Sequence, residues 1–547
     1  MRTHPETRRT AARSLACAFA ATVLALSSAA AAEDAAAVPS LEGLPEPAPQ
    51  RPFELPALGE LTLPNGLRLV VAPRPGVPLV TAQLTVLAGA DADPAGRAGL
   101  AAMTAGLLSK GALRGGRPVG ASELARQAEA LGGSFDSAGS LRSSAIGMTV
   151  TTPRLDAALA LLADVTRQPL LAAAELERAR AQALDALRVG LSNPGDVAAM
   201  VARRAWWGAS PYGASPTPES LKKLSRADVQ AFHRAVFRPD RAVLLLVGDV
   251  TPANALLLAQ RHFGTWRAPA GAVPPLDAAA PAPLAASLVR VDLPGSGQSG
   301  VVLMAPFVAS DAPDRRAGDL ANVVLGVGYS ARLSQAVRIR RGLTYDVGSE
   351  LESFPAGGMW SAAAQTDHPN ADEVLRLMRA EVLRLGEAPP ADDELAARKA
   401  LMLGSFARRF ETTGGLAALL ANQLAQGRPL AALARYGDDL LAVTPEQVRD
   451  FAARHWRAET LHGVIVGDSR VSGADAAASD PADTLRLTLT TLNLDSPGLQ
   501  RRSNRGLAAV RGRRRSERPA SAQPRSNQSA AQSAQPMAHS QPVLDTA

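Results

Sequence analysis

Residues 225–249 (SRADVQAFHRAVFRPDRAVLLLVGD) align without a gap to residues 444–468 (TPEQVRDFAARHWRAETLHGVIVGD), an offset of 219 positions. Val229 matches Val448, Phe232 matches Phe451, Arg238 matches Arg457, and Val247-Gly248-Asp249 matches Val466-Gly467-Asp468. A repeat of this length implies duplication, so most of the chain reads as one unit written twice. In each copy a capping Ser or Thr opens an amphipathic helix, and a buried apolar strand follows and stops at Gly-Asp. Ala268 to Pro283 (APAGAVPPLDAAAPAP) lies between the copies and has the composition of a linker.

Other segments supply the rest of each unit. Leu61 to Val71 (LTLPNGLRLVV) is two apolar runs around Asn65-Gly66, a strong hairpin signal. Val80 to Val86 alternates apolar and polar residues, as do Ile146, Met148 and Val150, which predicts strands with one buried face. Glu123 to Leu131 and Leu155 to Val165 carry helical spacing. The fold class expected is therefore α/β, an α+β sandwich of two homologous halves joined by a linker. Each half would be a mostly antiparallel sheet packed against helices.

Both ends of the chain stand apart from this unit. Arg2, Arg8, Arg9 and Arg13 precede an apolar run from Ser14 to Ser28 that ends in Ala29 to Ala32, the order of a secretory signal peptide spanning residues 1–32. The run is too short for a membrane span, the apolar residues expected after a twin-arginine pair are missing, and Cys17 lies too early for a lipoprotein anchor. Cys17 is the single cysteine, so the mature chain would carry no thiol into an oxidising compartment. At the other end, residues 501–547 hold nine arginines against Glu517 and Asp545, which accounts for the whole formal charge of +7. This Ser-, Gln- and Ala-rich tail lacks aromatics and reads as a solvated basic appendage, with an anionic envelope surface as its other possible role. The remaining boundaries predicted are an extended segment over 33–55, domains over 56–267 and 286–500, and a linker over 268–285.

One motif misleads. Gly295-Ser296-Gly297-Gln298-Ser299-Gly300 satisfies the dinucleotide G-x-G-x-x-G string and follows a strand, Leu288 to Leu293. The next segment, Val301 to Phe307 (VVLMAPF), is a second strand and not a helix, so no helix amino terminus is available for a pyrophosphate. The glycines read as a turn, and no bound cofactor is expected.

The chain resembles the pitrilysin/insulinase peptidases, whose zinc-binding fold it would share. Asp93 to Lys110 (DPAGRAGLAAMTAGLLSK), Pro211-Tyr212-Gly213 with the following PTPESLKKLSRADVQAF, and Val247-Gly248-Asp249 are similar to their amino-terminal half. Leu325 to Tyr345 (LGVGYSARLSQAVRIRRGLTY) resembles their carboxy-terminal half, and Leu492 to Pro497 (LNLDSP) the end of short bacterial members. In active members the helix after Gly-Leu-Ala carries His-x-x-Glu-His. Histidines at i and i+4 share one helix face and can hold one metal, with the glutamate beside its water. Aligned on Gly99-Leu100-Ala101, the histidine positions here are Ala102 and Gly106 and the base position is Ala105. The distant glutamate falls near Ala186, beside Asp185. None of the four aligned positions offers a zinc ligand or a base, and no metal site is expected elsewhere. The mature chain's histidines are His233, His262, His368, His455, His462 and His539, read as surface or packing residues.

The resemblance also implies something retained. Active members place an arginine and, seven positions later, a tyrosine where they hold the substrate carbonyl and developing oxyanion. Arg338 and Tyr345 stand at that spacing. The alternative is that Arg338 closes a helix and Tyr345 packs at a strand start. Taken with the bacterial heterodimers that the chain resembles, the pattern implies the non-zinc subunit of a periplasmic heterodimer, inactive as a peptidase alone. Its partners would be a zinc-bearing subunit with intact His-x-x-Glu-His and an unfolded peptide, bound as an added strand on a sheet edge of that subunit. The other reading is an inert scaffold or peptide-binding relative. Nucleic acid is not expected as a partner.

Overall fold

The Asn65-Gly66 signal forms a turn between antiparallel strands, with Gly66 at φ 90°. The Asn65 side chain locks it by donating to the carbonyls of Phe263 and Trp266 at 2.8 and 2.9 Å. The computed structural model describes residues 55–271 and 287–471, and the backbone of 484–488. The signal-peptide run, nearly all of segment 33–55, most of the linker, Leu492 to Pro497 and the basic tail lie outside the described residues.

The first half runs β1 (Gly59–Thr62), β2 (Arg68–Pro73), β3 (Leu79–Val86), α1 (Leu100–Leu108), β4 (Gly111–Arg114), β5 (Arg117–Gly120), α2 (Ala121–Glu129), β6 (Asp136–Gly139), β7 (Ser144–Thr151), α3 (Leu155–Arg167), α4 (Ala173–Ser192), α5 (Pro194–Trp207), α6 (Pro218–Lys223), α7 (Arg226–Val236), β8 (Ala242–Gly248) and α8 (Pro252–Phe263). The second runs β9 (Leu288–Asp292), β10 (Ser299–Phe307), α9 (Arg315–Gly326), β11 (Val347–Phe354), β12 (Gly357–Thr366), α10 (Ala371–Glu387), α11 (Asp392–Glu411), α12 (Thr413–Ala425), α13 (Tyr436–Leu441), α14 (Pro445–His455), β13 (His462–Gly467) and β14 (Thr484–Thr488). The first sheet has the order β1-β2-β8-β3-β7-β6, and the second, read from its matching edge, β14-β9-β13-β10-β12-β11. Neighbours pair antiparallel except β2 with β8, β9 with β13 and β9 with β14. Each half is thus the mixed but mostly antiparallel sheet with helices that the repeat predicts.

The offset of 219 extends well beyond the residues that resemble one another. It carries α4 onto α11, Pro194 at the start of α5 onto Thr413 at the start of α12, and Thr81 in β3 onto Gly300 in β10. The helix openings match as well. Ser225 and Thr444 each form a capping box, with side-chain and backbone bonds exchanged between the cap residue and the third helical residue.

The halves are joined by exchanged helices. α5 leaves the first half and lays Val197, Val201 and Trp206 on one face of the second sheet, against Val289, Val302, Met304 and Val464. α12 returns the arrangement, packing on β8 and β3 of the first sheet. Leu416, Ala417 and Leu420 share a core with Val70, Val243, Leu245 and Val247, whereas the alternate residues Leu69, Val71, Leu244 and Leu246 face the first half's own core. Each fully buried Val or Leu contributes roughly 1.5–3 kcal/mol, so these crossings are a large part of what holds the halves together. They also correct the single buried face predicted for β3: Thr81 and Thr85, on its polar side, are buried because α12 covers that side. Two equivalent contacts seat the helix starts. The Thr81 hydroxyl donates to the Thr413 hydroxyl at 2.8 Å, whereas Gly300 meets the Pro194 backbone with no space for a side chain.

Candidate functional site

Helix α1 is set by its amino end. Gly99 takes φ 98°, and Asp93 accepts hydrogen bonds from the Gly99 and Ala101 backbone N–H groups at 2.8 and 2.7 Å. Burial pushes the Asp93 carboxyl up to about 7 against the pull of those donors. The helix packs on β6 and α4, and the backbone of Gly139 in β6 abuts Ala102. Ala105 is buried, Gly106 half-buried and Ala102 exposed, and a side chain at Gly106 would meet open space. Room therefore exists at the second histidine position while the ligand does not. Ala186 is exposed on α4, and the neighbouring Asp185 is paired with Arg188 at 2.9 Å.

The histidines are dispersed. His233 is buried with Nε2 2.8 Å from the Thr166 carbonyl, and burial lowers its pKa. His262 meets Asp156, His455 meets Asp314, and His368 sits between the Ser299 hydroxyl and the Ser296 carbonyl. His462 opens β13, and His539 lies outside the described residues. Among the described residues no three His, Cys, Asp or Glu side chains form a group that could hold a metal ion. The residues aligned with the zinc motif thus do not fit zinc. Metal analysis of the purified chain is expected to find far less than about one zinc per chain. The triple change Ala102→His, Ala105→Glu and Gly106→His is expected to remain insufficient, because position 186 still supplies no carboxylate. About one tightly held zinc per unaltered chain would overturn this.

Arg338 and Tyr345 are brought together. Arg338 lies in a π-helical turn, Ser334–Ile339, a local widening found often at functional sites. Its guanidinium carbon stands 4.9 Å from the Tyr345 ring centroid and 5.1 Å from that of Tyr329, a cation placed between two aromatic rings. Neighbouring arginines behave differently: Arg341 pairs with Glu373 at 2.8 Å, and Arg340 with Glu381 at 3.9 Å while donating to the Gln335 carbonyl. Arg338 has no carboxylate within ion-pairing distance among the described residues.

The backbone explains why Tyr345 faces outward. The buried Thr344 hydroxyl lies 2.7 and 2.6 Å from the carbonyls of Asp346 and Gln365, with one proton to share between them, and Thr366 donates to the Leu343 carbonyl. With its neighbours pinned to the end of β12, Tyr345 projects into solvent at 86 % exposure, two residues before β11. The alternative of a tyrosine packed at a strand start is thereby corrected. Gln365 in turn donates to Asn193, the residue between α4 and α5, so this loop is anchored on the crossing between the halves. Tyr329, 63 % exposed, was not singled out from the sequence, although it lies within the same family-like segment.

The family model described as insulinase (peptidase family M16) matches residues 68–215, and the model described as peptidase M16 inactive domain matches residues 223–402. The chain belongs to the insulinase (M16) peptidase family. An uncharacterized zinc protease of Streptomyces coelicolor is 26% identical over 403 residues, covering 72% of this chain and 85% of that protein. The solved structure of a peptidase M16 inactive domain from Pseudomonas fluorescens superposes with TM-score 0.69 at 23% identity, covering 75% of this chain and 98% of the other. The periplasmic protease PqqL from Escherichia coli superposes with TM-score 0.64 at 20% identity, covering 75% of this chain and 45% of PqqL. These structures show the M16 fold across both halves. Within that family, this chain lacks the His-x-x-Glu-His side chains. No described helix is long and apolar enough to cross a membrane.

Proposed function

We propose that this chain is the non-zinc subunit of a periplasmic heterodimeric peptidase, supplying Arg338 and Tyr345 to the active site of a zinc-bearing partner. The observation that carries this reading is a contrast between two sites on one chain. Ala102, Ala105, Gly106 and Ala186 offer no ligand or base, yet Arg338 is left without a carboxylate among the described residues and held beside the ring of the outward-facing Tyr345. A guanidinium and a phenol can both donate hydrogen bonds to an oxygen that gains negative charge during peptide hydrolysis. Ion pairing with a protein carboxylate would occupy that guanidinium, as it does for Arg341.

The export signal at residues 1–32 supports the compartment, as does the fold shared with a periplasmic protease. Residues 56–267 and 286–500 serve as the two peptidase-like domains, and the substrate is an unfolded peptide held mainly by the partner. The test is reconstitution with the family member from the same cell that keeps His-x-x-Glu-His. The pair is expected to form a stable complex and hydrolyse peptides that neither chain cleaves alone. Cleavage by this chain by itself, or failure of the two to associate, would refute the proposal.

A further inference from the structure

An open cleft of about 840 Å³ lies on the second half, between the amino end of α9, the segment after α12 and the face of α14. Arg315 and Arg428 line it, and donors on these two residues and on the neighbouring Tyr436 lack hydrogen-bond partners. Among the described residues Arg428 Nε and the Tyr436 hydroxyl are buried without a hydrogen bond, and Arg315 Nε makes none either, although it faces Asp319 at 3.5 Å. Buried polar groups are nearly always satisfied, so three such donors in one neighbourhood mark an unmet demand. Charge points the same way. Asp319 serves both Arg315 and Arg316, at 3.5 and 2.9 Å, while Arg428 has no ion pair or side-chain hydrogen bond among the described residues. Burial and the neighbouring Arg315 and Arg316 hold the Arg428 guanidinium below its ordinary range, the mark of a cation short of an anion.

We propose that this cleft binds a carboxylate, with Arg428 and Arg315 as its principal donors. A guanidinium fork matches the two oxygens of a carboxylate, and Arg428, which has no carboxylate within ion-pairing distance among the described residues, is met by one negative group. The rim disfavours more highly charged anions, because Asp311 and Asp439, which have no ion-pair partner among the described residues, line the cleft beside the exposed Arg435. The volume admits more than an isolated anion, so the carboxylate is either a free small acid or the carboxy terminus of a peptide. This site is independent of Arg338 and Tyr345.

The test uses the full chain, with melting temperature and calorimetric binding as readouts. The probes are acetate, inorganic phosphate, a six-residue peptide with a free carboxy terminus and the same peptide amidated. A carboxylate ligand at about 100 times its Kd is expected to raise the melting temperature by roughly 5 °C. Binding of the free-acid peptide but not the amide, with acetate competing only weakly, assigns the site to a chain terminus; a response to acetate alone assigns it to small acids. Arg428→Met is expected to weaken binding at least tenfold without lowering the melting temperature of the ligand-free protein, since it removes a half-buried charge that has no ion pair among the described residues. Arg428→Lys keeps the charge, loses the fork and should bind at an intermediate level, whereas Arg435→Met at the exposed rim should stay within about twofold of the unaltered chain. No response to either carboxylate, a stronger response to phosphate, wild-type binding by Arg428→Met, or a lowered melting temperature for that variant together with normal binding by Arg428→Lys, would each overturn the proposal.

Discussion

In peptide hydrolysis by the reconstituted pair, Tyr345→Phe is expected to lower kcat by about 10²- to 10³-fold with little change in KM or in assembly. The substitution removes only the hydroxyl. The ring stays to stack on Arg338, so the cation keeps its position and the loss reports the hydrogen bond itself. A donor that engages an oxyanion more strongly than a ground-state carbonyl acts on turnover more than on binding. Arg338→Ala is expected to lower kcat by a similar factor and also to raise KM, because the guanidinium would hold the substrate carbonyl before reaction. Arg340→Ala and Arg341→Ala are the controls, since their ion pairs with Glu381 and Glu373 are largely exposed on the arginine side and contribute about 0–1 kcal/mol each. If Tyr345→Phe and Arg338→Ala both keep near wild-type kcat in an intact heterodimer, the inert-scaffold reading takes the place of the catalytic one.

Local signals made much of this legible in advance. Asn65-Gly66 gave a turn, Ser225 and Thr444 gave two capping boxes, and the period-two runs gave β3 and β7. The alignment at 225–249 and 444–468 showed that the unit recurs, because helix caps and a buried strand constrain side chains closely. What the sequence did not show was how the copies are assembled. The contact between Thr81 and Thr413 joins residues 332 positions apart, and no local periodicity records it. For the same reason the exchange of α5 and α12 was invisible, and with it the burial of the polar face of β3. At the candidate site the spacing of Arg338 and Tyr345 was readable only through the family resemblance. The second ring, Tyr329, reaches Arg338 because the turn after α9 brings it back over the π-helical segment, which is a property of the fold and not of spacing.

Gly300→Ala is expected to destabilise the chain by about 3 kcal/mol, near the upper end of what overpacking costs. A Cβ built at this position lies 2.2 Å from the Pro194 carbonyl oxygen, 2.5 Å from its carbon and 2.7 Å from the Gly195 nitrogen. All three are backbone atoms, so no flexible side chain can move aside. Gly300 is also fixed from within its sheet, opposite Gln365 in β12 and Val466 in β13. Relief therefore requires either breaking that register or lifting the start of α5, which would strip Val197, Val201 and Trp206 from the second sheet. At the equivalent position in the other half the same crossing is made through side chains, and Thr81→Ala should cost only about 1 kcal/mol for its lost hydroxyl bonds. Gly297→Ala is the local control: it lies in the preceding turn with nothing within 4 Å of an added Cβ, and reduced freedom of the unfolded chain should leave it neutral or slightly stabilised. Thermal or urea unfolding of the three variants measures the ordering. A Gly300→Ala protein that melts with the unaltered chain would mean that α5 does not seat on β10, and the exchange of helices between the halves would have to be abandoned.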